Sequence, residues 1–345
     1  MKFEHRIELL SKIGIDFINV CNNEMNDPSF PGFKEINDNN PWFTPEFVKF
    51  SLLHWGEQLK LDNLTSWLEK YDLNSYGLDN HVLGLIMAGN IPLVGFHDLV
   101  CGFAVGLKMN IKFSSKDNVL IKWVVNKFYD YDPHLKNKII CTENRLSGFD
   151  VIIATGSNNT NRYFDYYFGS YPHILRKNRN SVAIITGNET KEQLEELGED
   201  IFMYFGLGCR NVSKLYLPEN YDFNMMGQAF QKYAYLREHY KYANNFDYQY
   251  ALIAMNQVER VDFGNLLLVE RRDLFSPVAV VNFEYYDDIN KVKNSLVANE
   301  DNIQCIICEE GMMKNYLKPG FSQKPGIEDY ADNIDTIKFL LNLKK

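Results

Sequence analysis

Long apolar runs are missing from this sequence. The longest nearly apolar stretch, Val82–Gly95, is interrupted by Asn90 and Pro92. It falls short of the about 20 residues that cross a bilayer, so no membrane span is expected. Met1–Leu10 holds Glu4 and Glu8 and lacks an apolar core with a small-residue cleavage site, so no secretory leader is read and the cytoplasm is the expected compartment. Cysteines are few and scattered: positions 21, 101, 141, 209, 305 and 308 fit reduced thiols rather than a disulfide framework. The seven histidines show no metal-ligand spacing, and Cys305-x-x-Cys308 has no second Cys or His pair at zinc spacing. No metal is therefore expected, and core packing is the reading for that cysteine pair. Positive charge is not in excess, since 36 Lys and Arg against 45 Asp and Glu leave a net charge of −9. That balance excludes the broad basic face of a nucleic-acid or anionic-membrane binder. A complete Gly-x-Gly-x-x-Gly dinucleotide fingerprint is also lacking.

What is present is an ordinary folded composition, 46% hydrophobic and 23% charged, in a chain of 345 residues, enough for about two domains. Residues 1–80 read as helical and irregular, with one marked helix start where Thr44 caps, Pro45 takes the first helical position and Glu46 favours the positive end. From residue 81, buried-strand runs alternate with helical stretches, which predicts parallel α/β architecture. The expected strands are 82–88, 110–113, 138–141, 150–155 and 181–186. Helices are expected near 96–107, 117–130, 159–168 and 190–203, the last opened by a Thr190/Gln193 capping box. A second α/β region follows, with helices at 222–240 and 288–297 and strands at 266–270, 278–283 and 304–308. Lys318–Gly326 reads as a loop before a last helix (334–343). The expected domains are 1–176, rejoined by 318–345, and 177–317.

Several segments carry candidate chemistry. In Gly206-Leu207-Gly208-Cys209-Arg210-Asn211-Val212-Ser213, two glycines free the backbone beside a thiol, and Arg210 and nearby N–H groups would favour the thiolate. A small buried residue in a tight turn is the plainer reading of Cys209 from spacing alone. Gly89-Asn90-Ile91-Pro92 ends a strand, where Asn90 could donate to an oxyanion or simply turn the chain. Thr155-Gly156-Ser157 follows a strand and precedes a helix, so its N–H groups could receive a phosphate. Lys112, Ser115 and Lys116 suit a ribose or phosphate, or else a solvated loop. The basic cluster Arg176–Asn180 would neutralise a small phosphorylated ligand, or lie solvated.

In order along the chain, these segments resemble the long-chain acyl-CoA reductase family of the LuxC type, within the aldehyde dehydrogenase superfamily. The resemblance is densest over residues 81–220. Asp273-Leu274-Phe275-Ser276-Pro277 resembles that superfamily's acidic-x-Phe-Gly-Pro segment, and residues 320–326 its late glycine loop; residues 1–80 carry no part of it. The resemblance implies a Rossmann-like cofactor domain and an α/β catalytic domain meeting at a cleft, with Cys209 as nucleophile and Asn90 as oxyanion donor. It assigns Lys112 to the adenosine ribose, Gly156 and Ser157 to the pyrophosphate and nicotinamide, and Asp273 to the nicotinamide ribose. It also implies Arg176 where hydrolytic relatives keep a glutamate base. Ser115 followed by Lys116 stands where NAD-specific relatives carry a glutamate, so NADPH is the expected cofactor. The expected activity is reduction of a fatty acyl-CoA or acyl-carrier-protein thioester to the aldehyde, in a homo-oligomer or with partner enzymes of acyl transfer. Its rivals are an aldehyde-oxidising dehydrogenase and a non-catalytic subunit of a fatty acid reductase complex.

Overall fold

The computed structural model of the chain describes residues 1–22, 27–73, 80–156 and 158–344. Two compact units emerge, Met1–Lys177 with Gly326–Lys345, and Asn178–Pro325. Among the described residues, the first unit opens with the helices α1 (Phe3–Asn22), α2 (Gly32–Asn39), α3 (Pro45–Gln58) and α4 (Leu61–Leu68). Thr44 caps α3 as expected, accepting the Phe47 N–H at 3.4 Å. Strands and helices then alternate: β1 (Val82–Ile86), α5 (Phe96–Val105), β2 (Lys108–Lys112), α6 (Val119–Tyr131), β3 (Ile139–Thr142), β4 (Val151–Thr155), α7 (Asn158–Phe168) and β5 (His173–Arg176). The strands pair in parallel in the order β3-β2-β1-β4-β5.

A parallel sheet is covered on both faces, which is why its central strands are apolar runs, with Leu83, Leu85 and Val151–Ala154 buried. Phe17, Leu52 and Trp67 from the helical segment share that core with Leu99 of α5. Each contributes roughly 1.5–3 kcal/mol by leaving water. The strand order reverses between β1 and β4, and open α/β sheets bind ligands outside the carboxyl ends of the strands at such a reversal.

The second unit holds β6 (Asn180–Ile184), α8 (Lys191–Phe202), β7 (Val212–Pro218), α9 (Asn224–Phe230), α10 (Tyr240–Met255), β8 (Arg260–Asp262), β9 (Leu267–Glu270), β10 (Val280–Tyr286), α11 (Ile289–Ala298) and β11 (Ile303–Ile307). Its sheet runs β11-β6-β7-β10-β9-β8, parallel except where β8 pairs antiparallel with β9. The Thr190/Gln193 capping box forms at the start of α8. Cys305 and Cys308 are both buried, as expected for packing residues. The elements β5, β7, β8 and α10 go beyond the expected set. The single helix expected over 222–240 is instead α9 followed by a 3-10 segment, Gln231–Glu238. No helix among the described residues is long and apolar enough to cross a membrane.

Candidate functional site

Cys209 lies in the turn between α8 and β7, and it is exposed, which overturns the reading of a buried turn residue. The chain enters this turn through left-handed backbone at three consecutive residues, Tyr204, Phe205 and Gly206, with φ of 53°, 58° and 74°. Glycine adopts this conformation freely, whereas a tyrosine and a phenylalanine there each cost of order 1–3 kcal/mol unless their surroundings hold them. Both aromatic residues are buried, and the Phe205 ring packs on His239 and Tyr242 at centroid distances of 4.5 and 5.7 Å.

Asn211 closes the turn. Its Oδ1 accepts the Gly208 N–H at 2.8 Å, and its Nδ2 donates to the carbonyls of Asp200, Ile201 and Met203 at 3.1, 3.3 and 2.8 Å. Carbonyls at a helix end lack intrahelical partners, so one side chain both caps α8 and fixes the backbone at Gly208. Ser181 Oγ donates to the Cys209 carbonyl at 2.9 Å. Arg210 Nη1 donates to Cys305 Sγ at 3.4 Å and to the Ser322 carbonyl at 3.3 Å.

Asp273 sits, exposed, on the loop from β9 to β10. Three side chains from the sheet hold that loop by its carbonyls. Lys214 Nζ donates to Arg271, Ser213 Oγ to Leu274 at 2.7 Å, and Asn282 Nδ2 to Asp273 and Phe275 at 3.0 and 2.8 Å. Lys214 and Asn282 face each other across β7 and β10 and are both buried. Burial holds the Lys214 ammonium below its ordinary range, opposed by Glu284 at 3.2 Å. The Ser213–Leu274 bond links the strand that follows Cys209 to the loop that carries Asp273.

In the first unit, Asn90 is half-buried just past β1. Glycine is required beside it, because a Cβ on Gly89 would lie 2.7 Å from Ser114 Oγ and 3.0 Å from the Asp117 nitrogen. Three residues further on, Leu93 is left-handed (φ 57°), and its N–H is accepted by Asp117 Oδ2 at 3.0 Å. Asp117 is buried before α6, and its Oδ1 has no hydrogen-bond partner. Burial pushes its carboxyl up to about 7 against the pull of the Leu93 and Ile121 N–H groups. Lys112 ends β2 half-buried, Ser115 and Lys116 are exposed in the turn beyond it, and Gly156 directly follows β4. Ser157 lies outside the described residues.

Arg176 requires a correction, because it is neither solvated nor open to a ligand. It is buried, with Nε and Nη2 on the Asp98 carboxylate at 3.0 and 2.6 Å, Nη1 on the Ala331 carbonyl at 2.8 Å and Nη2 on Thr336 Oγ1 at 3.1 Å. Burial alone would lower its pKa, but Asp98 outweighs that and holds the guanidinium above its ordinary value. The sequence reading missed this pairing, and it missed Asp117, Asp200, Lys214, Asn211 and Asn282 as supports of the candidate residues. Two ammonium groups, a hydroxyl and a glycine backbone thus lie at or beyond the carboxyl ends of β2 and β4, a donor set of the chemistry that could receive a phosphorylated nucleotide.

No family model matches the sequence, and no curated protein does. Solved structures match in fold. An aldehyde dehydrogenase from Physcomitrella patens in complex with the product succinate aligns at a TM-score of 0.62 and 12% identity, over 99% of this chain and 84% of that one. A succinic semialdehyde dehydrogenase from Streptococcus pyogenes with NADP+ aligns at 0.64 and 13%, over 90% and 77%. An NADP-dependent glyceraldehyde-3-phosphate dehydrogenase from Bacillus halodurans with NADP aligns at 0.64 and 12%, over 89% and 74%. The chain has the aldehyde dehydrogenase fold, an α/β architecture of two units.

Proposed function

We propose that the chain is an NADPH-dependent oxidoreductase that reduces a fatty acyl-CoA or acyl-carrier-protein thioester to the aldehyde through an acyl-enzyme on Cys209. One observation carries the reading: an exposed cysteine on a turn fixed by a buried asparagine, in a chain of aldehyde dehydrogenase fold. The Cys209 thiolate attacks the thioester carbonyl, forming a carbon–sulfur bond and an oxyanion. The Cys209 backbone N–H and, by the resemblance, the Asn90 amide would hold that charge. Collapse breaks the original carbon–sulfur bond and releases the carrier thiol, leaving an acyl group on Cys209. NADPH, when bound, would supply the hydride that this acyl group needs, and Cys209 would serve as the leaving thiolate that frees the aldehyde. Lys112 and Ser115 would hold the phosphorylated ribose, Gly156 and Ser157 the pyrophosphate and nicotinamide, and Asp273 the nicotinamide ribose. Two neighbours crystallised with NADP support a nicotinamide cofactor of this kind.

Arg176, engaged with Asp98 and always charged, offers no base to activate water, so the acyl-enzyme should persist until hydride arrives. The neighbours named as dehydrogenases favour a second reading, oxidation of an aldehyde to the acid. Acyl-CoA without NADPH separates the two. Intact mass should show one acyl addition, mapped to Cys209, absent in Cys209→Ala and released as aldehyde on adding NADPH. Rapid loss as free acid favours the dehydrogenase, and acylation that survives in Cys209→Ala refutes the nucleophile.

A further inference from the structure

Asp200 lies in the last turn of α8, fully buried, and the reaction proposed above gives its carboxyl no role. Both of its oxygens are occupied: Oδ2 accepts the Gly320 N–H at 2.8 Å and Oδ1 the Ser322 N–H at 2.9 Å. The Ser322 carbonyl in turn accepts Arg210 Nη1 at 3.3 Å, while the Asp200 carbonyl accepts Asn211 Nδ2 at 3.1 Å. The two residues that follow Cys209 are therefore both tied to Asp200, one through the end of α8 and the other through the loop that the carboxylate holds. Ser322 is itself buried, and Gln323 Nε2 donates to its hydroxyl at 3.0 Å, so buried bonds fix the loop.

We propose that Asp200 is a positioning residue for Cys209, its carboxylate seating the Gly320–Ser322 loop so that loop and helix end together set how the turn presents the thiol and its surrounding N–H groups. The inference rests on Cys209 being the nucleophile and is independent of the acyl substrate and the cofactor. A carboxylate accepts an N–H on each charged oxygen, whereas protonation leaves one of the two a hydroxyl oxygen, a weaker acceptor. The clamp is therefore strongest when ionised. Burial pushes this carboxyl up to about 6, against the pull of the Ser322 and Gly320 donors. Around it, Glu199 on the same helix raises it further and is paired with Lys232 and Lys324 at 3.8 and 3.3 Å. From the segment after α9, Tyr233 packs a neutral phenol on Phe202 and donates to the Glu195 carbonyl.

The test is the rate of Cys209 alkylation by iodoacetamide between about pH 5 and about pH 9, with the modified peptide identified by mass, in the wild type and in Asp200→Asn. In the wild type the rate should fall more steeply than first order in protons below about pH 6, because weakening of the clamp adds to the loss that a falling thiolate fraction alone produces. Cys209 is already exposed, so thiolate fraction rather than access limits its reaction. Asp200→Asn should slow alkylation at neutral pH by about threefold or more and lose the steep limb. Cys141, exposed in the first unit, is the internal control and should react alike in both proteins. Circular dichroism establishes that the variant is folded. Amide exchange adds a measurement independent of thiol chemistry: the Gly320 and Ser322 amides, corrected for intrinsic exchange, should be protected in the wild type and lose protection in Asp200→Asn. A folded variant with an unchanged alkylation profile overturns the proposal, as do amides equally protected in both proteins. Ordinary thiol reactivity at Cys209 in the wild type would count against the nucleophile reading, while the exchange measurement still decides the clamp.

Discussion

Asp117 in the first unit and Asp200 in the second are buried carboxyls that each fix a turn near a candidate reacting residue, and they are satisfied to different degrees. Asp117 accepts the Leu93 N–H, with Ile121 adding to the pull, and its Oδ1 is left without a partner. Asp200 has an N–H on each oxygen. Burial opposes ionisation in both and pushes Asp117 up to about 7 and Asp200 up to about 6, against N–H donors aimed at the charged form. The difference in bonding teaches where a substitution is felt: an amide can replace a carboxyl that uses one oxygen but not one that uses both. Asp98 is buried as well but faces a guanidinium instead of N–H groups.

The largest effect is expected where a full charge would be stranded. Arg176→Met leaves the Asp98 carboxylate buried without its cation and removes the bonds to Ala331 and Thr336, so it should cost about 3–5 kcal/mol in urea unfolding. A loss below about 1 kcal/mol would show that Asp98 is readily neutralised or rehydrated. Asp200→Asn comes next and is best read near pH 4, where the wild-type carboxyl is largely protonated and charge drops out of the comparison. A protonated acid still offers a second oxygen, but an amide turns its NH2 toward Gly320 or Ser322, leaving one N–H without an acceptor. That should cost about 1–3 kcal/mol by the same unfolding measurement. Equal stability of variant and wild type at that pH would mean that the loop re-forms without its second bond.

The ease of reading these features from sequence follows how local their causes are. Strands β1 and β4 were legible because a parallel sheet buries both faces, and α8 because Thr190 and Gln193 cap it within one turn. Strand β7 was hidden by Lys214, a charged residue with no exposure at the centre of a sheet, whose acceptor lies on Arg271. Helix α10 is rich in tyrosine and asparagine, weak helix formers, and is anchored by buried Tyr242 and Phe246. Cys209 stood out as a candidate because two glycines precede it within the same short segment. Its exposure, and the part played by Asn211, depend on carbonyls of α8 that no spacing rule brings to the turn. Arg176 was misread for the same reason: its partners Asp98 and Thr336 are 78 and 160 positions away.

The effect that separates the two aspartates most cleanly is expected at Asp117. Its carboxyl in the folded chain titrates at about 7, above the ordinary 3.8, so the unfolded chain releases this proton first. Below the unfolded value both states are protonated, and the group has no influence on stability. As pH rises from about 4 to about 7 only the unfolded state is ionised, so wild-type stability should fall, by up to about 1.4 kcal/mol per pH unit, and level off above the folded value. Asp117→Asn removes that ionisation while its amide oxygen can still accept the Leu93 N–H, and the partnerless position changes only from oxygen to amide nitrogen. The variant should therefore match the wild type near pH 4 and exceed it near pH 8 by about 1 kcal/mol or more, in urea unfolding at the two pH values. A variant already weaker near pH 4, as expected for Asp200→Asn, would mean that both Asp117 oxygens carry bonds and that the contrast between the two carboxyls does not hold.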